Sequence, residues 1–249
     1  MPKKFLFTDL DDTLFQSRRK CPERDDLTPL AYLGDGSAHS FATPAQHALL
    51  ALFQREMTVI PVTARNADAF SRVRIAFSHG AIIDHGGIII GADAQPDARW
   101  LEHSAAQAAH SRPLLEAVLR QLAGRASALG VAVRARIIED FGIPLYLCAK
   151  SQEGDERALD ALEPAVRACC DAAALPFGVH RNGNNLSVLP AWLDKRHAVE
   201  YLIERLRREH GEIVTIGMGD SFSDLAFMHA CDYALVPRAS QIAARLEAA

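Results

Sequence analysis

The first apolar segment of the chain ends directly in a cluster of acidic residues. Residues 5–8 form a candidate strand, and Asp9, Asp11 and Asp12 follow at once. Further short apolar segments, such as residues 58–62, alternate with helical patterns in the first third of the chain. This alternation predicts a parallel sheet with helices on both faces. The acidic cluster would then lie at the carboxyl edge of the sheet, where open α/β sheets bind ligands.

The middle of the chain follows a different pattern. A helical segment, in which Pro113 is expected to start a second helix, precedes two candidate strands, and the order helix–strand–strand then repeats. The second pair of strands surrounds Asn182-Gly183-Asn184, a strong hairpin signal. Strand–helix alternation returns in the final third. We therefore expect an α/β fold with a discontinuous core, residues 1–85 and 188–249, and an inserted α+β module of order αββαββ, residues 86–187.

Composition narrows the classes of function. The chain has 27 Lys and Arg against 31 Asp and Glu, so it lacks the positive excess that a nucleic-acid partner would require. No apolar run approaches the roughly 20 residues of a membrane span, and we expect no signal peptide. The 5 cysteines are odd in number and lack metal-type spacing, as in idle thiols of a reducing cytoplasm.

A second acidic motif follows another predicted strand. Gly219, Asp220 and Asp224 come directly after the apolar residues 213–216. Asp220 and Asp224 are four residues apart and would share one face at the start of a helix. An acidic turn or a helix cap would explain either acidic motif taken alone. Crowded carboxylates repel one another, however, and a bound cation is a physical reason to keep them together.

Two further residues fit a phosphate site at the same edge. Thr63 ends the predicted strand at residues 58–62, and the free amides that follow it would suit a phosphate group. Lys195 begins a predicted helix in the final third of the chain. Alone, Thr63 would be an ordinary residue at a strand end and Lys195 an ordinary surface lysine.

Taken in order, these motifs resemble those of the haloacid-dehalogenase-like phosphohydrolase superfamily. The matching pattern is Asp-x-Asp-x-Thr at residues 9–13, then Thr63, then Lys195, then Gly-Asp-x-x-x-Asp at residues 219–224. The inserted module falls between the second and third motifs, where the Cof-type and sucrose-phosphatase-like branch of the superfamily carries its cap. The resemblance implies a Rossmann-like parallel-sheet core with an inserted α+β cap domain.

The resemblance also implies a role for each motif residue. Asp9 would be the nucleophile that forms an aspartyl-phosphate, and Asp11 the acid and base. Thr63 and Lys195 would bind the phosphoryl oxygens. Mg²⁺ would be held by Asp9, Asp11 (through its carbonyl oxygen) and Asp220, with Asp224 supporting the site. The substrate-binding residues would be Thr63, Ala64, Arg65, Arg181, Asn182 and Lys195.

The expected function is that of a cytoplasmic, Mg²⁺-dependent phosphatase acting on a small phosphate monoester, such as a sugar phosphate. The partner would be this small molecule rather than a nucleic acid or a membrane, and the chain would be a monomer or a homodimer. A phosphomutase or phosphotransferase of the same superfamily, or a non-catalytic module that binds a phosphate ligand, remain alternatives. Residues 16–42 are expected to form a long loop, either a flap that contacts substrate or a surface excursion.

Overall fold

The chain forms two compact units in a computed structural model, which describes residues 1–152, 156–172 and 176–247. The first unit combines Met1–Trp100 with Asp194–Ala249, and the second is Leu101–Leu193. The first unit therefore runs to residue 100 and resumes at residue 194, whereas the sequence suggests a core that ends at residue 85 and resumes at residue 188.

The secondary-structure elements alternate in the first unit and are grouped in the second. The strands are β1 (Lys3–Thr8), β2 (Gln16–Ser17), β3 (Thr28–Tyr32), β4 (Ala38–Ala42), β5 (Thr58–Pro61), β6 (Ala81–Ile83), β7 (Ile88–Ile90), β8 (Val133–Asp140), β9 (Ile143–Ser151), β10 (Phe177–Asn182), β11 (Asn185–Pro190), β12 (Ile213–Met218) and β13 (Tyr233–Leu235). The helices are α1 (Pro44–Glu56), α2 (Ala67–Ser71), α3 (Ala98–Leu129), α4 (Glu156–Asp171), α5 (Lys195–His210), α6 (Leu225–His229) and α7 (Gln241–Glu247).

A parallel sheet lies at the centre of the first unit. Its strands are ordered β13-β12-β1-β5, and each neighbouring pair is parallel. A parallel bridge between Val62 and Ile82 extends the sheet to β6, which forms an antiparallel hairpin with β7. The predicted parallel α/β core is confirmed, and β1 lies between two parallel neighbours, as a strand that is buried on both faces requires.

Side chains of β1 alternate between two cores on opposite faces of the sheet. Phe5 and Phe7 pack with residues of α5, α6 and α7, whereas Leu6 packs with residues of α1. Because successive strand residues point to opposite faces, one continuous apolar segment supplies both cores. Both layers of helices are thereby fixed to the strand that ends at Asp9.

Side-chain caps begin three helices of the first unit. Thr43 and Gln46 form a reciprocal capping box before α1, with Pro44 at its first position. Asn66 accepts a hydrogen bond from Ala69 at the start of α2, and Asp194 accepts one from Arg196 at the start of α5. These caps set the points at which the chain leaves the carboxyl edge of the sheet and turns into a helix.

Residues 16–42 contain strands, so the prediction of a long loop is wrong. β2, β4 and β3 form a small antiparallel sheet in that order. Leu30, Ala31 and Ala42 are buried, and they join the same core as Leu6. The apolar residues of this segment are few, and polar residues and two turn glycines separate them. The periodic signal is therefore too weak to reveal this sheet in the sequence.

The second unit has its own antiparallel sheet and core. The strand order is β10-β11-β9-β8, and the element order is αββαββ, as the hairpin and helix patterns predict. Apolar residues of both helices, such as Leu115, Leu122 and Leu162, are buried together with Leu147 and Leu186 of the central strands. This core is contained within the second unit.

A single helix, α3, runs through Pro113, so the prediction of a second helix starting there is wrong. Its buried residues continue on one face across the proline, with Ala108 and Ser111 before it and Leu115 and Val118 after it. Packing of this face keeps the helix continuous although proline disfavours a helix interior. Among the described residues, no helix is both long and apolar enough to cross a bilayer.

Candidate active site

The carboxyl ends of three parallel strands bring the first acidic motif, the second acidic motif and Thr63 together. The Asp9 amide donates to the carbonyl oxygen of Met218 at 2.8 Å, which joins the end of β1 to the end of β12. The Val62 amide donates to the carbonyl oxygen of Thr8 at 2.8 Å, which joins the end of β5 to the same place. The residues that follow these strands therefore meet at one edge of the sheet.

Lys195 places a buried ammonium group among the carboxylates. Its Nζ lies 2.7 Å from Asp9 Oδ1 and 2.7 Å from Asp224 Oδ1. Lys195 and Asp9 are each 6% exposed, and Asp224 is fully buried. A buried ion pair of this kind is strongly coupled, because each charge has lost most of its hydration.

Three carboxylates of the site lie close together. One oxygen of each of Asp9, Asp220 and Asp224 lies within 4.8 Å of the others, and all three side chains are buried. The Thr13 hydroxyl lies 3.3 Å from Asp220 Oδ1 and 3.5 Å from Asp9 Oδ2. Lys195 neutralises one of the three negative charges. The cluster of Lys195 and the three carboxylates therefore keeps a net negative charge.

The excess negative charge is visible in the pKa values of the group. Burial, the neighbouring Asp224 and Asp11 raise the pKa of Asp9 to about 8 against the opposing effect of Lys195. Burial, Asp224 and Asp12 raise the pKa of Asp220 to about 6. Burial alone would also raise the pKa of Asp224, but Lys195 and the Ser221 hydrogen bonds bring it below the usual value. Two of the three carboxylates thus hold their protons more tightly than an exposed aspartate.

This donor set fits a Mg²⁺ ion. All of its donors are carboxylate oxygens, which Mg²⁺ prefers in combination with water and phosphate oxygens. Burial and neighbouring carboxylates raise the pKa values of Asp9 and Asp220, and a bound cation would oppose both effects. The predicted contribution of the Asp11 carbonyl oxygen stays a prediction.

Asp11 is held by Arg65. The guanidinium Nε and a terminal nitrogen each donate to one oxygen of the Asp11 carboxylate at 2.7 Å. The Arg65 guanidinium also lies over the Phe15 ring, 5.3 Å from its centre. The side chain of Asp11 is 47% exposed, whereas that of Arg65 is 14% exposed. Arg65 therefore fixes the position of the Asp11 carboxylate, the predicted acid and base.

Thr63 is buried in a loop that folds back on itself. Its hydroxyl accepts the backbone amide of Arg65 at 3.1 Å, and Ala64 lies between them. The carbonyl oxygens of Thr63 and Arg65 accept amides from the turn that follows β6, residues 84 and 85. The loop that sequence analysis assigns to phosphate binding is therefore fixed by the neighbouring strand end.

The two predicted substrate-binding residues of the inserted module belong to the second unit. Arg181 pairs with Asp160 at 3.2 Å and lies 3.8 Å from Glu163. Asn182 lies in β10, and its side chain is outside the described residues. Their role in substrate binding stays a prediction.

Three residues that support the site have no assigned role in the sequence prediction. The Ser221 amide and hydroxyl donate to Asp224 Oδ2 at 3.0 and 2.7 Å and fix that carboxylate. Thr13 links the first and second acidic motifs, as described above. Lys20, from the segment at residues 16–42, forms an ion pair with Asp12. Thr13 is part of the Asp-x-Asp-x-Thr pattern, whereas no motif spacing indicates the pairing of Lys20 with Asp12.

No protein-family model matches the sequence, and no curated protein matches it at a significant level. Solved structures do match the fold. The C-terminal domain of trehalose-6-phosphate phosphatase from C. albicans superposes with a TM-score of 0.58 at 12% identity, covering 92% of this chain and 74% of that one. Sucrose-phosphatase from Synechocystis sp., in complex with sucrose and phosphate, gives a TM-score of 0.54 at 15% identity, covering 100% and 97%. A haloacid dehalogenase-like hydrolase from Bacillus subtilis gives 0.51 at 15% identity, covering 98% and 85%.

The parallel sheet and the matching structures define the class of fold. The chain has the fold shared by haloacid-dehalogenase-like phosphatases, which confirms the parallel-sheet α/β core that the sequence resemblance implies. Its carboxylates, Lys195 and Thr63 lie at the edge of the sheet where an α/β fold of this kind binds its ligand.

Proposed function

We propose that this protein is a Mg²⁺-dependent phosphatase that hydrolyses a small phosphate monoester, a sugar phosphate or a related metabolite, through an aspartyl-phosphate on Asp9. The observation that carries the proposal is the buried cluster of Asp9, Asp220 and Asp224 around Lys195. Structural neighbours that act on trehalose-6-phosphate and on sucrose phosphate support the choice of substrate class.

Asp9 is the nucleophile in this proposal. Lys195 holds Oδ1 at 2.7 Å, whereas Oδ2 has a long contact of 3.5 Å from Thr13 and is the oxygen that attacks phosphorus. The new bond joins Asp9 to phosphorus as the bond from phosphorus to the alcohol oxygen breaks. Lys195 and Thr63 bind the phosphoryl oxygens, on which the charge of the transition state is spread.

Asp11 transfers the protons. It protonates the departing alcohol oxygen and then takes a proton from the water that attacks the aspartyl-phosphate, which releases phosphate and restores Asp9. Arg65 fixes the orientation of the Asp11 carboxylate through two hydrogen bonds. Partial exposure of Asp11 gives the carboxylate access to the water and to the alcohol.

Asp9, Asp220 and the Asp11 carbonyl oxygen would hold Mg²⁺, with Asp224 in support. When bound, Mg²⁺ supplies positive charge that reduces the repulsion between an anionic nucleophile and a phosphate dianion. Ser221 and Lys195 keep Asp224 oriented in the same cluster.

The remaining parts of the proposal concern the second unit, the oligomeric state and the cellular location. We propose that the second unit is the cap, that Arg181 and Asn182 contact substrate together with Ala64 and Arg65, and that the chain acts as a monomer or a homodimer. A cytoplasmic location is consistent with 5 free cysteines.

A panel of phosphorylated metabolites tests the proposed activity. Phosphate release is measured for sugar phosphates, nucleoside monophosphates and p-nitrophenyl phosphate, in Mg²⁺ and in EDTA. We expect hydrolysis that EDTA abolishes and added Mg²⁺ restores, with the highest kcat/KM on sugar phosphates. No phosphate release from any ester of the panel would contradict the proposal.

A further inference from the structure

The turn after β6 contains three consecutive residues in the left-handed backbone region. Asp84, His85 and Gly86 have φ values of 53°, 55° and 97°. Glycine adopts this conformation freely, whereas an L side chain clashes with the backbone there. Strain of this kind persists where the surroundings fix it, and it is concentrated at functional sites.

This turn is bonded directly to the Thr63 loop. The amide of His85 donates to the carbonyl oxygen of Thr63 at 3.1 Å, and the amide of Asp84 donates to the carbonyl oxygen of Arg65 at 2.8 Å. His85 is therefore the neighbour of Thr63 across two adjacent strand ends, at the carboxyl edge of the sheet.

The other side of the turn touches the start of α5. A Cβ atom on Gly86 would lie 2.5 Å from the carbonyl oxygen of Asp194 and 3.0 Å from Lys195 Cα, so the two backbones are in contact there. The Gly86 carbonyl oxygen also accepts the indole N–H of Trp100 at 3.0 Å. His85 thus lies beside Thr63 and one residue from the contact with Lys195.

His85 is more exposed to solvent than its two neighbours in the turn. Asp84 is fully buried and Gly86 is buried, whereas His85 is partly exposed. Packing explains Gly86, since a side chain there would collide with α5. The partly exposed His85 is accessible at the edge of the sheet, although its backbone conformation favours glycine.

We propose that His85 is a substrate-binding residue whose imidazole donates a hydrogen bond to an oxygen of the phosphoryl group held by Thr63 and Lys195. The proposal rests on the proposed phosphatase function and adds a residue to its phosphate site. An imidazole N–H aimed at an anionic oxygen forms a charge-assisted hydrogen bond, which is stronger than a bond between neutral groups.

Two substitutions separate this role from a structural one. His85→Asn keeps a residue that tolerates the left-handed region, and His85→Gly removes the strain altogether. Ala94→Gly is the matched control, because Ala94 is exposed and has a φ of 61° in another turn of the same unit. Each variant is measured in Mg²⁺ for its urea unfolding midpoint, its kcat/KM on p-nitrophenyl phosphate and its affinity for inorganic phosphate by calorimetry.

We expect His85→Asn and His85→Gly to unfold at or above the wild-type midpoint, yet to lose about tenfold or more in kcat/KM and in phosphate affinity. Ala94→Gly should keep both values. Phosphate affinity within about twofold of wild type in both His85 variants would overturn the proposal, as would losses accompanied by a fall in midpoint of both. If the wild type hydrolyses no ester, the proposed function fails, and the phosphate titration alone decides the role of His85.

Discussion

Lys195 is the residue on which the charge balance of the site depends. Its ammonium group is buried between Asp9 and Asp224, and those two carboxylates raise its pKa although burial opposes this. Removing one partner of a buried ion pair leaves the other charges without compensation, which costs more than the pair contributes. The stability of the site and its chemistry therefore both depend on this one side chain.

Replacing Lys195 with methionine tests this dependence. We expect Lys195→Met to lower the free energy of unfolding by about 3 kcal/mol in EDTA at neutral pH, because Asp9 and Asp224 lose their cation. Urea unfolding followed by circular dichroism measures the change. Arg196→Met is the control, since Arg196 is exposed and pairs with Glu200 one turn away, and it should leave the value nearly unchanged. Equal effects of the two substitutions would show that the buried pair is not a stabilising contact.

The raised pKa values of Asp9 and Asp220 predict how stability varies with pH. Both folded values, about 8 and about 6, lie above the ordinary value of 3.8, so the folded protein binds protons that the unfolded chain releases. Stability from these protons is complete below about pH 4. It is lost as the pH rises from there, up to about 6 for Asp220 and up to about 8 for Asp9. Asp224, whose pKa is lowered, stays ionised in both states above about pH 5.

In EDTA we therefore expect the melting temperature to fall as the pH rises from about 5 to about 8, and to level off above that range. The stabilisation by Mg²⁺ should increase over the same range, because the ion competes with the protons on Asp9 and Asp220. Thermal unfolding at several pH values, with and without Mg²⁺, measures both trends. The double variant Asp9→Asn, Asp220→Asn should lose the pH slope, and a slope unchanged in that variant would assign it to other groups.

At the scale of elements, the turn after β12 shows how closely backbone and site are fitted. A Cβ atom on Gly219 would lie 2.5 Å from Asp224 Cβ, which is not the mobile end of a side chain. The backbone of this turn therefore approaches Asp224 as closely as a glycine permits. Any larger residue must displace the carboxylate that Lys195 and Ser221 hold.

Gly219→Ala should consequently weaken Mg²⁺ binding and lower kcat/KM by about tenfold or more. Isothermal titration with Mg²⁺ and steady-state kinetics measure the two effects. Gly124→Ala is the control, because Gly124 lies in α3 with open space around its Cα, and there the substitution should stabilise the protein by up to about 1 kcal/mol. Unchanged Mg²⁺ affinity in Gly219→Ala would contradict the close fit.

The elements differ in how far the sequence predicts them. The caps Thr43, Asn66 and Asp194 act through local hydrogen bonds. Residue type and position in the sequence are therefore enough to predict such caps. Continuity of α3 through Pro113 depends on burial of one face, and the small sheet in residues 16–42 depends on contacts with a core formed elsewhere in the chain. Such tertiary packing overrides local preference and cannot be read from neighbouring residues.

Candidate-site residues follow the same rule. Strand ends followed by Asp9, Thr63 and Asp220 predict that these residues share one edge, and they do lie there. The clamp of Arg65 on Asp11 and the contact of Lys20 with Asp12 join residues that are distant in sequence or lie in an unrecognised element. Motif spacing gives the chemistry of single residues, whereas partners across the site require the folded backbone.

At the scale of the whole molecule, we propose that the second unit is an inserted domain that folds independently. Its buried leucines come from both of its helices and from its central strands. A fragment of residues 98–193 should therefore unfold in one cooperative urea transition with the circular dichroism of a mixed α/β protein. A fragment that lacks a cooperative transition would contradict the proposed division.

The account depends most on Asp9. We expect wild-type protein with Mg²⁺ to release phosphate from p-nitrophenyl phosphate, and Asp9→Asn to reduce the rate by about three orders of magnitude or more. Asp12→Asn, which removes a carboxylate from the same loop, should retain most of the activity. The measurement is phosphate release by the three proteins at equal concentration, with folding checked by circular dichroism. A rate for folded Asp9→Asn close to that of wild type would contradict nucleophilic catalysis by Asp9 and with it the proposed mechanism.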